Sequence, residues 1–88
     1  MDSRQEEAFN KLKPHEQRMV KEYDELADRF VKLDKFISSD NEIWNNLDCE
    51  ERDDMIMQRQ AMCIYGMTLY RRLKRAHLDD FYPNAFSF

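Results

Sequence analysis

Apolar residues return to one side of the chain over two long stretches. In the first, Met19, Tyr23, Leu26, Phe30, Leu33 and Ile37 are spaced 4-3-4-3-4, the interval of a face that recurs every ~3.5 residues along a helix. Arg18, Lys21, Glu22, Glu25, Asp28, Arg29, Lys32 and Lys35 occupy the other positions. Glu25–Arg29 and Asp28–Lys32 are i,i+4 pairs with the acid first, the favourable order on a helix surface. The pattern predicts a helical arm over residues 14–38, about 37 Å long at the rise of an α-helix. Pro14 suits its first turn, where no backbone N–H is required.

In the second stretch Met55, Met62, Leu69 and Ala76 repeat every seven residues, and Tyr65, Gly66 and Leu73 widen the stripe. This predicts an arm over 49–77. Asp48 with Glu51 reads as a capping box at its start. Glu50, Glu51, Asp53 and Asp54 sit at its positive end, and Arg71, Arg72, Lys74 and Arg75 at its negative end, as the helix dipole favours. Between the arms, Ser39 with Glu42 reads as another capping box for a helical turn over 42–47, where Ile43, Trp44 and Leu47 are expected to plug the end of the hairpin. Phe9 and Leu12 share a face of a short helix over 2–12. The tail over 78–88 holds Leu78, Phe81, Tyr82, Phe86 and Phe88, broken by Pro83. It either folds back on its own hairpin or docks on a neighbouring subunit, because an apolar cluster this dense calls for cover.

The expected architecture is therefore all-α: an antiparallel helical hairpin with a short N-terminal helix and an aromatic C-terminal tail, one domain over 1–88. A chain of 88 residues buries little more than about 60% of its unfolded surface, and a lone hairpin less, so a partner or self-association is expected, a homo-oligomer first. A single glycine and two prolines argue against β-meanders, which need turn residues every few positions.

Composition excludes several functions. A net charge of −4 and a pI near 5.1 disfavour general nucleic-acid binding, which leaves a basic footprint. No apolar run approaches the ~20 residues of a membrane span, and the acidic, polar first residues are unlike a targeting segment. Cys49 and Cys63 read as two reduced thiols of a cytoplasmic protein. With one glycine, a phosphate loop, a nucleophile elbow and a dinucleotide fingerprint cannot be built in their usual form. His15 and His77 fall at arm ends that meet in an antiparallel hairpin. They read as exposed helix-end residues, or as half of a metal site completed by Glu16, Asp79 or Asp80; no ligand-spaced motif favours the second. Cys63 has no histidine beside it, so no catalytic residue, metal or cofactor is expected.

Binding leaves more trace. On a seam running through positions 55, 58, 62, 65, 69 and 72, Gln58 and Arg72 are polar exceptions. A buried arginine needs a carboxylate, and Glu22 lies at the matching level of the first arm. A Glu22–Arg72 ion pair is predicted; it fixes register, or Arg72 lines a polar pocket open to an anionic ligand. Gly66 permits close approach of the facing arm, or of a ligand. Arg59, Tyr65, Tyr70, Arg71 and Arg75 form a second cluster. Guanidinium groups grip phosphate and phenol rings stack on bases, although a solvated helix face yields such mixtures too.

The series Arg18, Glu22-Tyr23, Leu26, Arg29, Leu33, Phe36-Ile37, followed by Gln58, Ala61-Met62, Tyr65, Leu69 and Arg72-Leu73, resembles a family of short phage and prophage helical-hairpin proteins of crAss-like phages. The match covers residues 15–75. That family is similar in layout to the anti-CBASS and anti-Thoeris sponges, which hold cyclic nucleotide signals between the subunits of small oligomers. The resemblance implies a non-catalytic anti-defence protein in the cytoplasm of a bacterial host. Its partners would be itself and a nucleotide-derived signal of cyclic oligonucleotide or ADP-ribose type. It implies Lys21, Tyr23, Tyr65 and Arg72 as ligand-binding residues, beside the cluster members Arg59 and Arg75. The alternative is a protein–protein inhibitor or adaptor that blocks a host defence complex through its helical surface and aromatic tail.

Overall fold

A computed structural model of the chain describes residues 3–78 and residue 81. These residues form four helices: α1 (Ser3–Asn10), α2 (Pro14–Ser38), α3 (Glu42–Asn46) and α4 (Cys49–Arg75). Helices α2 and α4 pack along each other as the two arms of a hairpin, and no strand occurs among the described residues. Apart from Leu78 and Phe81, the expected aromatic tail lies outside the described residues.

Each helix begins and ends for a local reason. Pro14 is the first residue of α2, and the N–H of Lys13 before it donates to Glu16 Oε1 at 3.0 Å. Asp48 caps α4, accepting the N–H of Glu51 at 2.8 Å, which relieves one of the donors a helix start leaves unpaired. The cap of α3 differs from expectation. Asn41, not Ser39, accepts the N–H of Trp44 at 2.7 Å, while Ser39 closes α2 with its own N–H on Lys35 O. A three-residue link (residues 39–41) thus lets one helix finish before the next starts. Trp44 packs edge-on against Phe36, ring centroids 5.8 Å apart. Ile43 does not plug the hairpin: it is 69% exposed.

Helix α4 stops at Arg75, two residues short of the expected end. His77 has φ 60°. The N–H of Leu78 donates to Leu73 O at 2.8 Å and that of His77 to Lys74 O at 3.1 Å. These two bonds define a Schellman motif, in which the left-handed position normally falls to glycine. Leu78 and Leu73, the residues such a motif brings together, are both buried. With no glycine near residue 77, the sequence carried no signal for a left-handed stop there.

The motif turns the chain toward α1. The buried cluster is Met19, Val20, Tyr23 and Leu26 of α2, Leu69 and Leu73 of α4, and Leu78, with Phe9, Leu12, Met62, Tyr70, Ala76 and Phe81 packed around it. Gln17 Nε2 donates to Phe9 O at 3.0 Å and secures the end of α1 to α2. Val20 lies off the 4-3 seam yet is fully buried, because α1 and the Leu78 turn add a third layer at this end.

Two cross-hairpin contacts fix the register. Tyr23 and Tyr70 have ring centroids 6.0 Å apart, and Arg59 Nη1 lies 3.1 Å from Asp34 Oδ1. In both pairs the residue numbers sum to 93. Gly66 therefore shares a level with Ala27. It is buried, and its φ is not positive, so it serves close approach of the arms rather than a turn.

Candidate functional site

The face that α4 turns inward decides which side chains remain available. Arg52, Met55, Arg59, Met62, Gly66, Leu69, Leu73 and Ala76 are its buried or half-buried line, spaced 3-4-3-4-3-4-3. The sequence pattern placed 58, 65 and 72 on this seam; 59, 66 and 73 take their places. The physical choice is clear. Burying Gly66 and Leu73 strands no polar group, whereas burying Tyr65 and Arg72 would strand a hydroxyl and a charge. The helix is rotated by one position, and Gln58, Tyr65 and Arg72 emerge together as an exposed line with heptad spacing.

This rotation removes the expected Glu22–Arg72 ion pair. Both residues are exposed, and the ion pairs among the described residues are Lys32–Asp28 at 2.9 Å and Arg59–Asp34 at 3.1 Å. The register pair is Arg59–Asp34, near the turn end. Arg59 sits on the inner line and reaches Asp34 with a side chain 29% exposed, as a long arginine can while keeping its charge paired. Arg52, one step closer to the turn, has its Nε buried without a hydrogen-bond partner.

The six expected ligand-binding residues do not converge. Tyr23 is buried in the core against Tyr70. Arg59 is engaged by Asp34. Lys21 is exposed, its Nζ 5.6 Å from the Phe9 ring centroid, a cation–π distance that ties it to α1. Tyr65, Arg72 and Arg75 remain exposed on α4, seven and three residues apart, which sets them along one side of the helix's last turns. Arg71 and Lys74 are exposed beside them, so the basic end expected from the sequence is displayed to solvent. Its spacing can offer guanidinium forks to an anion and one phenol ring to a planar group.

The sequence reading missed a pocket of about 280 Å³ between α1 and the turn after α4, lined by Arg4, Gln5, Ala8, Leu12, His77, Leu78 and Phe81. Nothing in the periodicity foretold it, since it exists only because the Schellman turn brings Leu78 back to α1. His15 and His77 are both exposed, and among the described residues no cluster of three His, Cys, Asp or Glu side chains could hold a metal ion. Cys49 and Cys63 are free. No helix among the described residues is long and apolar enough to cross a membrane.

Fold and face together define a small helical-hairpin protein whose second arm holds the fold with one side and displays aromatic and basic groups on the others. The chain belongs to the Sequestin family, whose model matches residues 13–75, both arms of the hairpin included. Neither the curated proteins nor the solved structures compared with it contain a match.

Proposed function

We propose that the chain is a sequestering protein that binds a nucleotide-derived signal, of cyclic oligonucleotide or ADP-ribose type, and holds it without chemical change. Membership of the Sequestin family carries this reading, because the family's name denotes sequestration rather than catalysis. The exposed Tyr65–Arg72–Arg75 series supports the ligand class. Phosphates suit guanidinium forks, bases suit a phenol face, and Arg71 and Lys74 add positive potential at close range. The context is a phage acting against a bacterial defence inside the host cytoplasm, with the immune signal removed by mass action.

Titration calorimetry with cyclic dinucleotides, cyclic trinucleotides and cyclised ADP-ribose tests the reading. The expected outcome is saturable heat with at least one of them and full recovery of the intact nucleotide after the protein is heat-denatured. Absence of heat with all of them contradicts it, and recovery of a cleaved product contradicts sequestration.

A protein–protein inhibitor is the second reading. The exposed Met57, Ile64 and Met67 on α4 favour it, as apolar side chains displayed together mark interaction surfaces. Capture of one defence protein by the wild-type chain, lost on substituting Ile64→Glu, would support it over nucleotide binding.

A further inference from the structure

Helix α4 carries a second heptad line that the other described residues do not cover. Glu50, Asp54, Met57, Ala61, Ile64, Thr68, Arg71 and Arg75 are spaced 4-3-4-3-4-3-4, and all eight are exposed. The line is offset by two residues from the inner one, about 200° around the helix, so it runs along the face away from α2. Between residues 55 and 70 the sole charged residue is Arg59, which is engaged by Asp34 on the inner side. The outer line is therefore acidic at its start, uncharged in its middle and basic at its end.

That order is palindromic in complementarity. Positions 50 and 75, 54 and 71, 57 and 68, and 61 and 64 each sum to 125. A second α4 laid antiparallel about a two-fold axis between residues 62 and 63 would set Glu50 against Arg75, Asp54 against Arg71, Met57 against Thr68, and small Ala61 against large Ile64. Each contact occurs twice, as an isologous interface demands. Thr68 fits the apolar middle because its hydroxyl already donates to Ile64 O at 2.9 Å, which leaves no polar group to strand. Glu50, Asp54, Arg71 and Arg75 take part in neither ion pair of the described chain. A parallel arrangement would instead oppose like charges at both ends, which is unfavourable.

We infer that this face is the interface of an antiparallel homodimer, α4 against α4, with the α2 arms outermost. The interface shares Arg71 and Arg75 with the basic end proposed for the ligand, but not Tyr65 or Arg72. Tyr65 and Arg72 lie one position round from the outer line and would flank the interface rather than fill it.

Charge reversal in the full chain tests both the partner and the direction. Sedimentation should give twice the 10.8 kDa chain mass, 21.6 kDa. Glu50→Arg with Asp54→Arg makes every end contact repulsive. This half-swap should weaken self-association by about 100-fold, the cumulative effect of four small exposed charge pairs. Arg71→Glu with Arg75→Glu should do the same. The chain with all four changes regains complementarity and should dimerise like wild type. Circular dichroism of each variant confirms retained helix, and the first half-swap leaves Tyr65, Arg72 and Arg75 intact, so nucleotide binding is read separately. A wild-type chain that stays at 10.8 kDa leaves the face to another occupant and overturns the inference. So does a dimer indifferent to either half-swap, or a fourfold-swapped chain that remains monomeric.

Discussion

The two faces of α4 are built from the same heptad spacing and meet opposite fates. The inner line, from Arg52 to Ala76, contains the fully buried Leu69 and Leu73. The outer line, from Glu50 to Arg75, is exposed throughout, with Ile64 68% and Met57 64% open to solvent. Periodicity alone identifies a helix with a seam. What selects the inward one is the composition of each line near the open end of the hairpin. Gly66, Leu69 and Leu73 can be enclosed without stranding a polar group, whereas Arg71 and Arg75 cannot. The difference teaches that the inner face secures the fold and the outer surfaces are available for recognition.

The sharpest way to break this division is to damage each face in turn. Leu73→Ala should cost about 3–5 kcal/mol, since the site is fully buried and cannot collapse readily; for a chain of this size that is a large fraction of the stability. Ile64→Ala on the outer face should change monomer stability by no more than about 0.5 kcal/mol. Thermal unfolding followed by circular dichroism, at protein concentrations too low for self-association, checks both. Equal losses at the two sites would erase the distinction.

His77→Gly comes next and has the opposite sign. The left-handed backbone at His77 suits glycine better than any residue with a Cβ. The substitution should stabilise the chain by about 0.5–1 kcal/mol, read as a rise in melting temperature. A fall would mean that the His77 side chain holds the turn by contacts of its own.

The smallest effects concern the ion pairs. Asp34→Asn should cost under about 1 kcal/mol, because the pair is partly open to water and screened, and the loss should shrink in high salt. Glu22→Gln should be neutral to within about 0.5 kcal/mol. A larger cost would restore the Glu22–Arg72 pair to the account.

Much of the hairpin was legible in advance for identifiable reasons. The seam of α2 is uniformly apolar from Met19 to Ile37, so no alternative phase competes. Asp48 and Pro14 are strong local start signals. The phase of α4 was less legible, because residues 58, 65 and 72 and residues 59, 66 and 73 both complete a heptad with 55, 62 and 69. Choosing between them requires the cost of enclosing Tyr65 and Arg72, a tertiary quantity. The same shift moved Arg72 from an expected internal pair to the surface. Tyr23 was lost from the candidate site for a related reason. A tyrosine on a strong seam is core first, and its tilted ring contact with Tyr70 was invisible without the register. The third layer made by α1 and Leu78 depended on a left-handed residue that no glycine announced.

The central claim is that the outward flank of α4 binds a nucleotide-derived anion while the inward face does not participate. Titration of the wild-type chain and of Arg72→Ala with whichever cyclic nucleotide or ADP-ribose signal gives saturable heat tests it most directly. The two proteins should have melting temperatures within a few degrees, about what a change of ~0.5 kcal/mol produces. Removing one phosphate-binding guanidinium should weaken binding at least about 10-fold, equivalent to roughly 1.4 kcal/mol. Unchanged affinity at unchanged stability would contradict the claim.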